Sequence, residues 1–373
     1  MENEVRVLHV SSPLTWRGGE QQIAYLLKGL KEDHPKIESL VVCPEGSVME
    51  AYLIKNDNQH HSYTKRSGLS PSYIFGVLKS IKSYKPNIIH IHDAHAHTAV
   101  VIAHLIIRSK IPIILHRRVD FHLKSSFFSR YKYEYKHIQK IICVSNAIKN
   151  IVSESNIDKN KLEVIYSGVD PDRLTDTGAD IRKELGLDKD KILVGNIAAV
   201  ADHKDYFTFI KVIKELRTKN PKIAGLIIGD GPQRNEIENF VKEENLEEYI
   251  YFLGYRSDAN SLIFDLDLFL MPSKTEGLGT SIIDAFNAGV PVVATNAGGI
   301  PELVEHKVCG LLAEPFDHLK LAKHIESILS SNELRQELVK KAKAKAQSFH
   351  YINMVKKTCD LYESIMKNKQ AEL

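Results

Sequence analysis

Residues 268–304 read LFLMPSKTEGLGTSIIDAFNAGVPVVATNAGGIPELV, and this stretch decides the fold. A short apolar run, Leu268–Met271, stops at Pro272 and gives way to an acid, Glu276, and a Gly-Leu-Gly turn. From Thr280 the spacing becomes helical, with Asp284 about a turn in; a second apolar run, Pro291–Ala294, then ends in the small-residue loop Asn296–Ile300. Apolar runs without alternation are strands covered on both faces, and helices between them make those strands parallel. Ligands of such sheets bind at the carboxyl ends of the strands. A helix starting near Thr280 turns its N–H groups and positive dipole end toward that edge, which suits a phosphate. Gly277 and Gly279 let backbone amides approach it closely. Glu276 and Asp284 could instead be solvated helix acids, but two glycine loops at successive strand ends favour a site.

The same alternation runs outward through the chain. Strands are expected at Val5–Val10, Leu40–Cys43, Ile88–Ile91, Ile111–Leu115, Ile141–Val144 and Val164–Tyr166. The second half repeats the scheme at Ile192–Ile197, Ala224–Ile228, Ile250–Leu253 and Gly310–Leu312. The expected class is α/β, with two facing Rossmann-like doubly wound domains and a cleft between them. The natural seam is SGVDPDRL, Ser167–Leu174, where a strand ends in a Gly-, Asp- and Pro-bearing turn. Domains are therefore expected at 1–167 and 168–350, with a last helix in 351–373, of few core residues, packing back on the first domain.

Composition excludes several classes. The 43% apolar and 26% charged fractions are those of a globular protein. The opening MENEVRVLHV lacks the basic start of a secretory signal, no run is long enough to span a membrane, and the four cysteines form no CxxC pair. These features read as a cytoplasmic protein. Residues 1–167 hold 23 Lys and Arg against 15 Asp and Glu, so the net charge of +3 hides a basic first half. That half is expected to meet something anionic, and without zinc spacing or an RNA-binding signature nucleic acid is not the expected partner.

With WRGGEQQ, PNIIHIHD, VIYSGVD, IIGDGP, YFLGYRSD and AGGIPELV spread along it, the chain resembles the family-4 retaining glycosyltransferases of the GT-B fold, of the bacterial surface-polysaccharide and lipopolysaccharide type. The segment from Glu276 to Asp284 resembles that family's EX7E donor motif. The resemblance implies that Glu276 contacts the transferred sugar, that the amides at Leu278, Gly279 and Thr280 hold the diphosphate with Gly277 beside them in the donor site, and that Asp284 takes the ribose position. It also implies a nucleoside diphosphate sugar as donor, a glycan or lipid-linked acceptor, and no bound metal or other cofactor. Two departures stand out. Asp284 is one methylene shorter than the usual Glu, and Ala198–Ala199 stand where Gly-Arg is usual, although Lys204 remains to neutralise the diphosphate. His203, Arg256 and Arg117 are the candidate substitutes for that arginine.

Further candidates lie in the first half. Gly18 and Gly19 precede a helix and border the donor phosphate and acceptor by resemblance, with Trp16 and Arg17 as weaker acceptor-side candidates. His116 takes the position that reaches the donor sugar, beside Arg117 and Arg118. The run HIHDAHAH, with His90, His92, His95 and His97, invites a metal reading, but a strand-end feature is preferred. Tyr255 and Arg256 are expected near the base. Lys124–Lys140 mixes Phe127, Phe128, Tyr131, Tyr133 and Tyr135 with basic residues, which reads either as a buried amphipathic helix or as peripheral contact with an anionic membrane on its inner face. The expected catalytic set is Glu276, His116 and Lys204. The other readings are an epimerase or hydrolase of the same fold and a non-catalytic nucleotide-sugar binding protein.

Overall fold

The structure is a computed structural model that describes residues 4–66, 70–122, 127–155, 157–178 and 180–371. The chain divides into two compact units, Met1–Gly168 with Tyr351–Leu373, and Val169–His350. The first unit holds strands β1 (Val5–Val10), β2 (Ile37–Pro44), β3 (His60–Tyr63), β4 (Ile88–Ile91), β5 (Ile113–Arg117), β6 (Ile138–Cys143) and β7 (Leu162–Val164). They form one sheet in the order β3-β2-β1-β4-β5-β6-β7. The second unit holds β8 (Ile192–Ile197), β9 (Ile223–Ile228), β10 (Ile250–Gly254), β11 (Leu268–Met271), β12 (Val292–Thr295) and β13 (Leu311–Ala313), in the order β10-β9-β8-β11-β12-β13. Every strand pair is parallel, as alternating strands and helices require. This is the doubly wound α/β architecture expected from the apolar runs.

Three details differ from expectation. The edge strand β3 reads HHSY, too polar to stand out as an apolar run, and it forms because β2 offers it a free edge. The last helix, Tyr351–Ala371, is rich in core residues: Tyr351, Met354, Val355, Cys359, Leu361, Tyr362 and Ile365 are all buried in the first unit's core. Its apolar side packs on the helix Gly18–Asp33, and Gly29 is needed there because a Cβ would meet Val355 Cγ2 at 2.7 Å. At Gly168, a Cβ would come within 2.4 Å of the Tyr351 backbone, and Gln22 closes the same corner with hydrogen bonds to both backbone groups of Gly168. The residues of WRGGEQQ and SGVD thus include structural locks as well as site candidates.

Candidate functional site

In the second unit, the loops after β8, β11 and β12 are stitched together by backbone. Gly299 N–H donates to the Glu276 carbonyl at 2.9 Å, and Lys274 N–H to the His203 carbonyl at 2.8 Å. Gly298 sits at φ +53°, where a Cβ would lie 2.1 Å from the Glu276 carbonyl oxygen; one on Gly299 would lie 2.4 Å from that of Gly277. These contacts explain why AGGIP accompanies EGLG in the sequence: no side chain fits between the loops. Gly279, at φ +92°, takes the N-cap of the helix Thr280–Ala288, and no side chain caps that end. A helix N-terminus without a side-chain cap can receive an anion.

Glu276 is buried, and its Oε1 accepts from Lys204 Nζ and from Ser273 Oγ at 2.9 Å. Lys204 follows β8 and Glu276 follows β11, which lie side by side in the sheet. Their side chains are only 14% and 9% exposed, so this pair is far better shielded than a surface salt bridge. Asp284 is also buried, on the helix that Gly279 starts, and Arg173 donates to its Oδ2. Its Oδ1 is buried without a partner. Burial pushes the Asp284 carboxyl up from the usual range, against the opposing pull of Arg173. Arg173, inside the SGVDPDRL seam, was missed as a site residue because the run marks a boundary and Asp284 is 111 positions away.

The remaining donor-side candidates separate. Leu278 is buried and Tyr255 is 77% exposed. Arg256 is held by Glu184 and Asp258, with its Nε 2.8 Å from Asp258 Oδ1, and these partners raise its pKa. Ala199 is exposed, on a loop that leans against the glycines after β9, where a Cβ on Gly231 would meet the Val200 carbonyl at 2.3 Å. Arg117, the other proposed substitute for the missing arginine, belongs to the first unit. Its guanidinium donates to Tyr133 Oη at 2.9 Å and to the Phe121 carbonyl.

The first unit gathers its candidates at the carboxyl ends of β1, β4 and β5. The helix Gly18–Asp33 opens with Arg17 N–H donating to Glu20 Oε2 at 3.0 Å; Gly18 is exposed and Gly19 half-buried. Trp16 packs on Tyr52, with ring centres 5.3 Å apart. Asp93 caps the helix Ala94–Ile106 and takes hydrogen bonds from Ser12, which ties the loops after β1 and β4 together. His116 is buried; burial first, then Arg118 and His90, hold its pKa well below the usual imidazole value. The HIHDAHAH run does not act as one group. His95 is exposed, His97 is buried against the Lys132 carbonyl at 3.1 Å, and His90 and His92 cluster instead with His9 of β1.

The aromatic run splits in the same way. Tyr133 and Tyr135 are buried, whereas Phe128 and Tyr131 are exposed; Lys124 and the side chain of Phe127 lie outside the described residues. Among the described residues no helix is long and apolar enough to cross a membrane.

Comparison with known proteins gives a match on each unit. Residues 16–173 match the Glycosyltransferase Family 4 profile, and residues 178–345 match that of Glycosyl transferases group 1. An O-antigen biosynthesis glycosyltransferase of Escherichia coli is 33% identical over 146 residues, 39% of this chain and 40% of that protein. An uncharacterized glycosyltransferase of Methanocaldococcus jannaschii is 32% identical over 247 residues, 65% of each. The chain thus spans between 40% and 65% of the length of these curated relatives. HepE of Anabaena, solved with UDP and glucose, shares the fold at a TM-score of 0.83 and 22% identity, covering 96% of this chain and 100% of that one. With one glycosyltransferase profile on each unit, the chain belongs to the family-4-type glycosyltransferases, and the match to HepE shows the GT-B fold.

Proposed function

We propose that this chain transfers a sugar from a nucleoside diphosphate sugar to a hydroxyl of a glycan or lipid-linked acceptor, with retention at the anomeric carbon. The observation that carries this reading is the buried Lys204–Glu276 pair beside the uncapped helix N-terminus at Thr280. As the bond to the leaving diphosphate breaks, negative charge grows on its oxygens. Lys204 and the amides of Leu278 to Thr280 stabilise that charge where water is scarce. Glu276, held by Ser273 as well as Lys204, accepts from sugar hydroxyls and orients the ring. Asp284 Oδ1, a buried acceptor without a partner, takes a hydroxyl of the ribose. His116, Gly18 and Gly19 keep in this reading the roles at sugar and acceptor that the resemblance implies. No side chain is asked to act as nucleophile, so the acceptor attacks the face that the diphosphate leaves, and the diphosphate receives its proton.

Surface-polysaccharide or lipopolysaccharide synthesis is the role this reading favours. It is supported by the O-antigen relative and by an Escherichia coli galactosyltransferase, 25% identical over 312 residues, named for a diphosphoundecaprenol acceptor. The reaction would then take place on the cytoplasmic side, at an anionic membrane surface. The basic first half and the exposed Phe75, Ile106, Phe128 and Tyr131, on three helices packed in succession, support this placement.

A panel of nucleotide-sugars tests the donor, since one present far above its Kd raises the melting temperature. Transfer to lipid-linked acceptors, followed by NMR of the new anomeric proton, tests the reaction. An inverted product removes the mechanism, and no shift with any donor removes the whole reading.

A further inference from the structure

Four imidazoles gather at the carboxyl ends of three neighbouring strands: His9 on β1, His90 on β4 with His92 just beyond it, and His116 on β5. Ring centres of His90 and His92 lie 4.2 Å apart, and those of His90 and His116 lie 5.6 Å apart with parallel planes. A metal site suggests itself, because one ring nitrogen from each of His9, His90 and His92 falls within 4.8 Å of the others. The hydrogen-bond directions oppose it.

The guanidinium of Arg118 can only donate. Its Nη1 donates to the His92 carbonyl at 2.8 Å, while Nη2 lies 3.3 Å from His92 Nδ1 and 3.2 Å from His116 Nδ1. Both rings therefore accept at Nδ1 and carry their proton on Nε2. His92 passes its proton's hydrogen bond to His9 Nδ1 at 3.1 Å, and His9 Nε2–H then reaches Ser39 Oγ at 3.3 Å. A metal on His92 Nε2 would force a proton onto Nδ1, facing the Arg118 N–H. For His116 the outcome differs, since its Nε2 is buried and without a partner. A buried N–H without an acceptor is costly, and a ligand oxygen would supply the acceptor it lacks.

We propose that Arg118 is a positioning residue that fixes His116 as the neutral Nε2–H tautomer, so that the ring presents a donor to an oxygen of the bound sugar. The inference rests on the proposed role of His116 at that sugar. The groups that face His116 are Arg118, just past the end of its own strand, His90 on β4 and His92 just beyond it; Glu20 and Asp93 act on Arg118 in turn. Loss of Arg118 removes the cation that disfavours protonation of His116 and frees its Nδ1 to carry the proton.

The direct test is nitrogen NMR of the full chain labelled at histidine, with the His116 signal assigned through His116→Gln. The wild type should show the Nε2–H tautomer without titration from about pH 5.5 to 8. Arg118→Met should give mixed tautomers and a titration midpoint that moves up, with kcat for transfer down about tenfold and donor KM within about threefold. Arg118→Lys keeps charge and a donor but loses the planar fork, so it should fall between. It also serves as the second variant if the methionine protein folds poorly. A His116 signal unchanged in both variants overturns the proposal, as does an Nδ1–H wild type or stoichiometric zinc in the purified protein. Full transfer activity in His116→Gln would instead overturn the sugar contact while leaving the tautomer result standing, so the two failures are told apart.

Discussion

At the carboxyl edge of the second unit's sheet the buried polar groups are charged and matched: Lys204 on Glu276, and Arg173 on Asp284. At the same edge of the first unit's sheet they are imidazoles held neutral around the guanidinium of Arg118. The two solutions fail differently. The weak point of a matched ion pair is loss of one partner, which leaves the other buried alone. A neutral imidazole cluster needs no partner charge, and its weak point is acid.

The largest effect should therefore come from pH alone. His9, His90, His92, His97 and His116 are fully enclosed and hold their pKa values far below 6.5, those of His9 and His97 at about 3, through burial. Unfolded, each takes a proton near pH 6.5, so below that value the unfolded state binds more protons and stability falls as pH drops. A group that stays neutral in the folded state while the unfolded chain takes its proton removes up to about 1.4 kcal/mol per pH unit below that point, so acid weighs on the first unit first. Hydrogen exchange at pH 7.5 and pH 5 should show β1, β4 and β5 losing protection well before β8 and β11. Equal loss in both units would break the comparison. On the charged side, Lys204→Ala should lower kcat for transfer by about 10²–10³, the scale of removing one oxyanion-type donor. A fall of less than about tenfold would show that the amides carry the leaving group without the lysine.

Between these lies the backbone. Gly298→Ala puts a Cβ against the Glu276 carbonyl at a φ of +53°. It should cost about 1–3 kcal/mol of stability and weaken donor binding, because the loops after β11 and β12 cannot both keep their places. Thermal melts and donor titration read the two effects; an unchanged melt would mean that the loops are not locked.

The same contrast explains what could be read from the sequence. The second unit's site is written in backbone requirements, glycines at 277, 279, 298 and 299, and these occur as local runs beside a strand and a helix start. Alternating apolar runs likewise made both parallel sheets legible, apart from β3 and the core role of the last helix. Histidine chemistry was not local. The run HIHDAHAH reads as a strand-end feature, yet His9 joins His90 only through the register of β1 with β4, and Arg118 becomes the centre of the cluster only once β5 is laid beside them. Arg173 was hidden for the same reason, since a boundary turn gives no sign of a carboxylate far along the chain.

The smallest effect is the most discriminating one for the shortened acid. Asp284 Oδ2 is engaged by Arg173 while the buried Oδ1 has no partner, so the arginine both orients the carboxylate and opposes the burial that raises its pKa. Arg173→Met removes that opposition, and the pKa climbs further. A carboxylate with a raised pKa is protonated earlier as pH falls, and the protonated form loses acceptor capacity at the ribose. The variant should show donor KM raised about threefold at pH 8 and about tenfold at pH 6, the scale of one charge-assisted hydrogen bond. The wild type should change less over the same interval. A pH-independent rise would mean that Arg173 only orients the acid, and no rise at all would leave the ribose position to another group.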